Sequence, residues 1–399
     1  MSVLKGKHIL LGVTGGIAAY KSAFLVRLLI KSGAEVKVVM TPYAEEFVTP
    51  LTLSTLSKNP VFSSFTDSEK NWNNHVELGE WADLMLIAPV TANTLSKMVN
   101  GKSDNLLLST YLSAKCPVII APAMDLDMFK HSSTQENLSK LSKNGHAIIE
   151  PASGELASGL EGKGRMQEPE EIVRFLEGFI KKALPLTGKK VLITAGPTYE
   201  PIDPVRFIGN HSSGKMGFEL ANRALDLGAE VVLVTGPTHL DLNHSGLKLI
   251  RVKSAEEMYA EVLKYYSDMD IAIASAAVSD YRPENTFDKK IKKDSDTLTL
   301  KLVKNPDILK TLGQRKKDQI LIGFALETNN ELENARKKLH NKNLDLIVLN
   351  SLNDEGAGFK TDTNKISIIT KDEIIRFDKK PKSEVAKDIF DLILEKSSS

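Results

Sequence analysis

A chain of 399 residues with 42% hydrophobic and 26% charged side chains has the composition of a globular protein and is long enough for two cores. Its formal net charge of +1 gives no general electrostatic case for nucleic acid or an anionic membrane, and no apolar run reaches the ~18 residues of a spanning helix. Cys116 is the only cysteine, which excludes an intramolecular disulfide and a multi-thiolate metal site, and no signal-peptide pattern follows the first apolar run. A cytoplasmic location is expected.

The opening KHILLGVTGGIAAYKSAFLVRLLIKSGAEVKVVMT reads as strand, glycine turn, amphipathic helix, a stop at Gly33 and a second strand. That is a βαβ unit, whose parallel strands need a helical crossover. Gly15 and Gly16 lie at the strand-to-helix turn, where backbone N–H groups cradle phosphate or a helix merely packs closely on its strand. Thr41, Ala44 and Phe47 in MTPYAEEFV, Thr91 and Asn93 in APVTANT, and Asn105 in SDNLLLS stand at or beyond expected strand ends. There the phosphate, ribityl chain and ring of FMN could be held. His75 falls in a polar loop before a strand and reads either as a surface residue or as a catalytic one.

Further strands are expected over 84–88, 118–121 and near 147–149. The first two run into PVTANT and PAMDLDM, which become candidate site walls because ligands bind beyond the carboxyl ends of parallel strands. Asp125 and Asp127 in PAMDLDMF suit a helix N-terminus. PASGELASGLEGKGRMQEP, with its four glycines, reads as a mobile loop or lid, or as a linker. A boundary is expected at KKALPLTG, giving a domain over 1–182, a linker over 183–188 and a second domain over 189–399.

The second half opens with the same unit, KKVLITAGP…GKMGFELANRALDLGAEVVLVTG, stopped at Gly228. Between strand and helix lies TAGPTYEPIDPVRFIGNHSSGKMG, which carries Asn210, His211, Ser212, Ser213 and Lys215. It is neither a Walker A loop nor a G-x-G-x-x-G fingerprint, which argues against a generic nicotinamide oxidoreductase. Strands are expected over 271–274, 298–303, 320–324 and 346–349, then the hairpin KISIITKDEIIRF and a closing helix. SAAVSDYRP brings Ala276, Asp280 and Arg282 to a strand exit. KKIKKDSD reads as a solvated charge run or as cations compensating phosphate charge. In KNPDIL, Asn305 or Asp307 is expected near the cap of a helix, with Pro306 at its first position. Phe324 in GFALET is expected to end a strand and could wall a base. Lys338 and Lys342 share a helix face. The fold class is therefore α/β, with two Rossmann-like or flavodoxin-like parallel-sheet domains.

Together these motifs resemble, from end to end, the bifunctional phosphopantothenoylcysteine decarboxylase/phosphopantothenate–cysteine ligases of coenzyme A synthesis. DPVRFIGNHSSGKMG, SAAVSDYRP, KIKK, KNPDIL and GFALET carry the ligase resemblance; TGGIAAYK, His75, APVTANT, PAMDLDMF and GKGRM carry that to flavin-containing cysteine decarboxylases. The resemblance implies FMN in the first half, and CTP with Mg²⁺ (or Mn²⁺) in the second. It also implies homo-oligomers, trimeric through the first domain and dimeric through the second, with His75 near the flavin at a subunit interface. By the same resemblance Asn210 acts on an acyl-cytidylate intermediate and Lys290 promotes its formation. Ala276, Asp280, Pro306, Asp307, Ile308, Leu309, Phe324, Lys338 and Lys342 correspond to CTP-contacting positions. Two positions depart from the family pattern: Asp125 replaces a substrate-clamping asparagine, and Ser158 replaces a proton-donating cysteine. A protonated Asp125 would cover both changes. A first half that binds FMN only as a scaffold for an active ligase is the alternative.

Overall fold

The computed structural model describes residues 2–66, 69–292, 297–327, 329–351 and 361–397. The chain divides into two compact units, Met1–Lys181 and Lys182–Ser399. The stretch 183–188 is no free linker, because Leu186 is 2% exposed in the second unit's core and its N–H donates to the Leu227 carbonyl.

In the first unit β1 (His8–Val13), β2 (Glu35–Met40), β3 (Val61–Phe62), β4 (Leu84–Val90), β5 (Val118–Pro122) and β6 (Ala147–Ile148) form a parallel sheet in the order β3-β2-β1-β4-β5-β6. Every residue of β4 is buried, as expected where helices cover both faces. Alternate residues then serve two cores: Ile9, Leu11 and Val13 pack on one face and Leu10, Met85 and Ile87 on the other. Strand order reverses between β1 and β4, which opens a crevice at their carboxyl ends.

Two expectations change here. The glycine-rich stretch after β6 is a hairpin, β7 (Ala152–Glu155) against β8 (Glu161–Arg165), because glycines at 154 and 162 accept positive φ inside an antiparallel pair. His75 opens a helix, His75–Trp81, rather than lying in a loop. Asn74 accepts the N–H groups of Val76 and Glu77 at 3.0 and 3.4 Å and so supplies the cap.

The second unit contains β9 (Lys190–Ala195), β10 (Tyr199–Pro201), β11 (Phe207–Gly209), β12 (Glu230–Thr235), β13 (Leu247–Arg251), β14 (Ile271–Ala274), β15 (Tyr281–Pro283), β16 (Leu302–Lys304), β17 (Ile320–Glu327), β18 (Leu346–Ser351), β19 (Thr363–Asn364), β20 (Ile366–Ile369), β21 (Ile374–Arg376) and β22 (Lys380–Pro381). The main sheet runs β13-β12-β9-β14-β17-β18-β20-β21, parallel as far as β18 and then antiparallel. Its switch point lies between β9 and β14. Three small antiparallel pairs, β10–β11, β15–β16 and β19–β22, stand apart from it. The strand expected over 298–303 shrinks to β16, which pairs with β15 outside the main sheet. Alternation in TLTLKLV has no apolar layer to face, since Leu298 and Leu302 are 54% and 43% exposed.

Candidate functional site

A cavity of about 950 Å³ opens at the first unit's switch point, a volume in the range of cofactor sites. Its walls include Gly15, Gly16, Thr41, Thr91, Asn93, Asn105 and Asp125, so seven of the expected residues converge there. Gly15 is required by close approach: a Cβ would stand 2.6 Å from the Tyr43 ring and 2.9 Å from its backbone. Thr14, which sequence reasoning passed over, fixes the crevice. Its hydroxyl donates to the Pro89 carbonyl at 2.9 Å and accepts the Thr91 N–H at 3.0 Å, tying β1 to β4 at the reversal.

Side-chain caps separate two kinds of helix start. Thr91, Asn105 and Asp307 cap their own helices with side-chain oxygens. The helices that follow the first strand of each unit begin at Gly16 and Gly214 with no side-chain cap. Within those first turns the Ala19 N–H donates to the Gly16 carbonyl at 2.9 Å and the Lys215 N–H to the Ser213 hydroxyl at 3.5 Å, and helix starts at a switch point are where parallel sheets receive anions. Replacing Gly15 by alanine should displace the first turn and lower flavin affinity by roughly tenfold or more. Absorbance at 450 nm relative to 280 nm after purification measures this, and an unchanged ratio would refute the cradle.

Asp125 caps the short helix Leu126–Lys130, one carboxyl oxygen accepting the Leu126 N–H at 2.6 Å. Asp127 is exposed in that helix's first turn. Lys21, 5% exposed, also reaches the cavity. It donates to the Met166 carbonyl at 3.0 Å and to Glu168 at 2.7 Å, fastening the glycine-turn helix to the root of the hairpin. Its signal in the sequence was a lysine at the start of an otherwise apolar helix face. Four expected residues are not brought into the cavity, and of these Ala44 lies in the first unit's core with Phe47 packed against it. Ser158 is exposed at the hairpin tip and accepts only the Leu160 N–H, at 3.4 Å. His75 sits edge-on to Phe65 and Trp72 and holds a buried Nδ1 without a hydrogen-bond partner. Cys116 is partly buried, and burial raises its thiol pKa, as suits a packing residue rather than a nucleophile.

At the second switch point Thr194 accepts the Ala276 N–H at 3.2 Å, and the Ala277 N–H donates to the Gly196 carbonyl at 2.9 Å. Asn210 donates to the carbonyls of Ala277 and Val278 at 3.0 and 3.3 Å, which draws the long loop onto the β14 exit. Close packing holds the helix start here: a Cβ on Gly217 would stand 2.5 Å from that of Ala195.

Asp280, Asp307, Lys338 and Lys342 form one charged group. Lys342 lies 2.9 Å from Asp307, and Lys338 donates to the Phe324 carbonyl at 2.9 Å. Burial, and next the charge of Lys342, push the Lys338 pKa down, while Glu327, Asp307 and Asp280 act against that. Asp307 itself is the cap of helix Ile308–Arg315, so Pro306 precedes the cap instead of opening the helix, and Asn305 donates to the Ser279 carbonyl. Phe324 lies in the middle of β17, not at its end, half-buried against the core. Of KKIKKDSD, residues 293–296 lie outside the described residues, as does position 328 of GFALET; Lys290 and Lys292 are exposed.

Burial tends to raise the Asp307 pKa, but the Lys342 ammonium and the Lys310 N–H outweigh it and hold the carboxyl below its ordinary range. A depressed carboxylate stabilises above its unfolded pKa and loses that contribution as pH falls through the folded one. Asp307→Ala should therefore cost about 1 kcal/mol near neutrality, and the gap from the parent should close below the ordinary carboxylate pKa. Denaturant melts at neutral and acid pH measure it; a pH-independent gap would contradict the assignment.

Two family models divide the chain at the same place as the fold. Flavoprotein matches residues 2–181, and the DNA/pantothenate metabolism flavoprotein C-terminal domain matches residues 186–396. Fold, cavity and models define the class as flavoproteins of pantothenate metabolism. The coenzyme A biosynthesis bifunctional protein CoaBC of Bacillus subtilis is 47% identical over 93% of this chain and 92% of its own. That of Borreliella burgdorferi is 42% identical over 98% of this chain and 99% of its own. A relative from an unknown prokaryotic organism, named cysteine/cysteine sulfinic acid decarboxylase, is 56% identical over 87% of this chain and 99% of its own. The chain belongs to the family of bifunctional coenzyme A biosynthesis proteins, in which a flavoprotein decarboxylase half precedes a ligase half.

Proposed function

We propose that the second unit, Lys182–Ser399, ligates cysteine to phosphopantothenate with CTP, and that the first, Met1–Lys181, decarboxylates the phosphopantothenoylcysteine formed. The observation that carries this reading is the recurrence of an uncapped glycine turn at the switch point of each sheet, flanked by different chemistry in each. One turn lines an open cavity, the other lies in the half that carries Asn210 and a group of lysines and aspartates.

In the ligase half the phosphopantothenate carboxylate attacks the α-phosphorus of CTP, releasing pyrophosphate, and the cysteine amine then displaces CMP from the acyl-cytidylate. Lys290 is the cation placed against the leaving pyrophosphate, where fixed charge favours the transition state. Asn210 serves the second step, its amide already directed at the Ala277–Val278 exit. Ala276, Asp280, Asp307, Lys338 and Lys342, with Pro306, Ile308 and Leu309, hold the nucleotide. Phe324 contributes through its carbonyl, which orients Lys338. Among the described residues no group of three His, Cys, Asp or Glu side chains could cage a metal. Mg²⁺ or Mn²⁺ would then be held chiefly by the triphosphate, as is usual for magnesium.

In the decarboxylase half the cavity and the close approach at Gly15 fit FMN, with Thr41, Thr91, Asn93 and Asn105 around it. Bound FMN supplies the reversible two-electron exchange that places a thiocarbonyl beta to the departing carboxylate. Asp125 faces the substrate carboxylate. One of its oxygens accepts the Leu126 N–H, which leaves the other free to carry a proton and donate it. His75 acts from a second copy, since it lies outside its own chain's cavity while Tyr20, Phe24, Tyr43 and Trp72 are at least 50% exposed. A trimer of first units would cover that apolar surface, and a dimer of second units completes the homo-oligomer. Small molecules are the partners, and no helix among the described residues is long and apolar enough to cross a membrane.

Ser158, exposed and outside the cavity, favours a second reading in which the first half only binds FMN and scaffolds the ligase. Purified protein given phosphopantothenoylcysteine should show an oxidised-flavin spectrum and release one carbon dioxide per phosphopantetheine. A flavin spectrum without turnover would support the scaffold. Turnover of free cysteine in place of phosphopantothenoylcysteine would point to the activity named for the cysteine decarboxylase relative.

A further inference from the structure

Asp203 in DPVRF is a carboxylate without a role in the mechanism above, yet it is 3% exposed. Burying a charge is costly unless several partners compensate it. One oxygen accepts the N–H groups of Val205 and Arg206, both at 2.8 Å, which folds the turn between β10 and β11. The other accepts the Ile291 N–H at 3.2 Å and the Arg206 guanidinium at 3.0 Å. Burial works to raise its pKa, but these three N–H groups and Arg206 prevail and hold the carboxyl below its ordinary range. Both terminal guanidinium nitrogens of Arg206, Nη1 and Nη2, also lie 3.5 Å from the Ile291 carbonyl. Ile291 is thus gripped at its N–H by Asp203 and at its carbonyl by Arg206.

Ile291 is the residue between Lys290 and Lys292. Two further contacts stitch the same loop to the same turn: the Phe287 N–H donates to the Ile202 carbonyl at 2.9 Å, and the Thr286 hydroxyl to the Pro201 carbonyl at 3.4 Å. The turn leads through β11 directly into Asn210. One buried carboxylate therefore sets the lysine loop and the Asn210 segment against each other. We infer that Asp203 is a positioning residue for nucleotidyl transfer: it clasps Ile291 so that Lys290 is held over the second switch point. The inference rests on the ligase reading of Lys290.

Asp203→Asn keeps shape but not the clasp. An amide has one acceptor oxygen, so it can serve either the Val205 and Arg206 N–H groups or the Ile291 N–H and the guanidinium, while its NH₂ opposes the other pair. Pyrophosphate release should fall about 10²-fold, with KM for CTP unchanged. Cysteine capture of preformed phosphopantothenoyl-cytidylate should fall much less than pyrophosphate release, and its persistence also reports that the unit is folded. Adding Asp203→Asn to Lys290→Gln should cost nothing further, because the two share one role. Parent-level pyrophosphate release in Asp203→Asn, equal loss of both half-reactions, or an additive double variant would each overturn the clasp. If Lys290→Gln alone releases pyrophosphate at the parent rate, the reading of Lys290 fails and the positioning role falls with it.

Discussion

Lys290→Gln should cut acyl-cytidylate formation by roughly 10²–10³-fold, the usual loss when one preorganised charge or donor is removed from a transition state. Asn210→Asp should instead release pyrophosphate and let the intermediate accumulate. The division follows from position. Lys290 is exposed on the loop held at Ile291, where its cation can meet the negative charge that builds on departing pyrophosphate. Asn210 lies at the β14 exit, bonded to the backbone at Ala277 and Val278. In the proposed mechanism it meets there the mixed anhydride that cysteine attacks, and aspartate would replace its donor amide by a charge facing two carbonyls. Rapid quench followed by mass spectrometry separates the outcomes. Equal loss of pyrophosphate release in both variants would defeat the assignment of successive roles.

Asp125→Asn should convert the decarboxylase half to a single turnover, ending with reduced flavin and the oxidised ene-thiol product. Asparagine caps a helix about as well as aspartate, so the helix Leu126–Lys130 keeps its start and the effect is chemical. The amide binds the substrate carboxylate but has no proton to give, and a serine hydroxyl is a far weaker acid than a thiol of pKa ~8.5. Adding Ser158→Cys should restore turnover, since the hairpin tip carries position 158 and the adjoining Glu155, Leu156 and Ala157 line the cavity. Stopped-flow flavin absorbance with product analysis reads both variants. Parent-rate phosphopantetheine formation by Asp125→Asn alone would remove Asp125 as the donor.

Much of the fold was legible because buried parallel strands announce themselves as continuous apolar runs: LMLIAPV and IAIA fall where β4 and β14 lie. The strand ends followed, and with them the group around Gly15, Thr91 and Asn105. Less was legible where tertiary contacts decide. TLTLKLV alternates like a strand but finds no main-sheet neighbour. The glycine-rich stretch after β6 looks like a loop until Gly164, whose carbonyl accepts the Met124 N–H, docks it beside Asp125. Asp203 and Thr14 were hidden for a different reason. Each acts through backbone groups distant in sequence, 88 residues away for Ile291 and 75 for Pro89, and no local pattern records such a partner. His75 packs edge-on to Phe65 and Trp72 outside the cavity, ring contacts that the polar sequence around it does not announce.

The central claim, two linked activities in one chain, is tested most directly by supplying the purified protein with phosphopantothenate, cysteine, CTP and Mg²⁺. The expected result is phosphopantetheine with one CMP, one pyrophosphate and one carbon dioxide for each molecule formed, and no product when CTP is omitted. Carbon dioxide released from free cysteine while CTP remains unconsumed would contradict it.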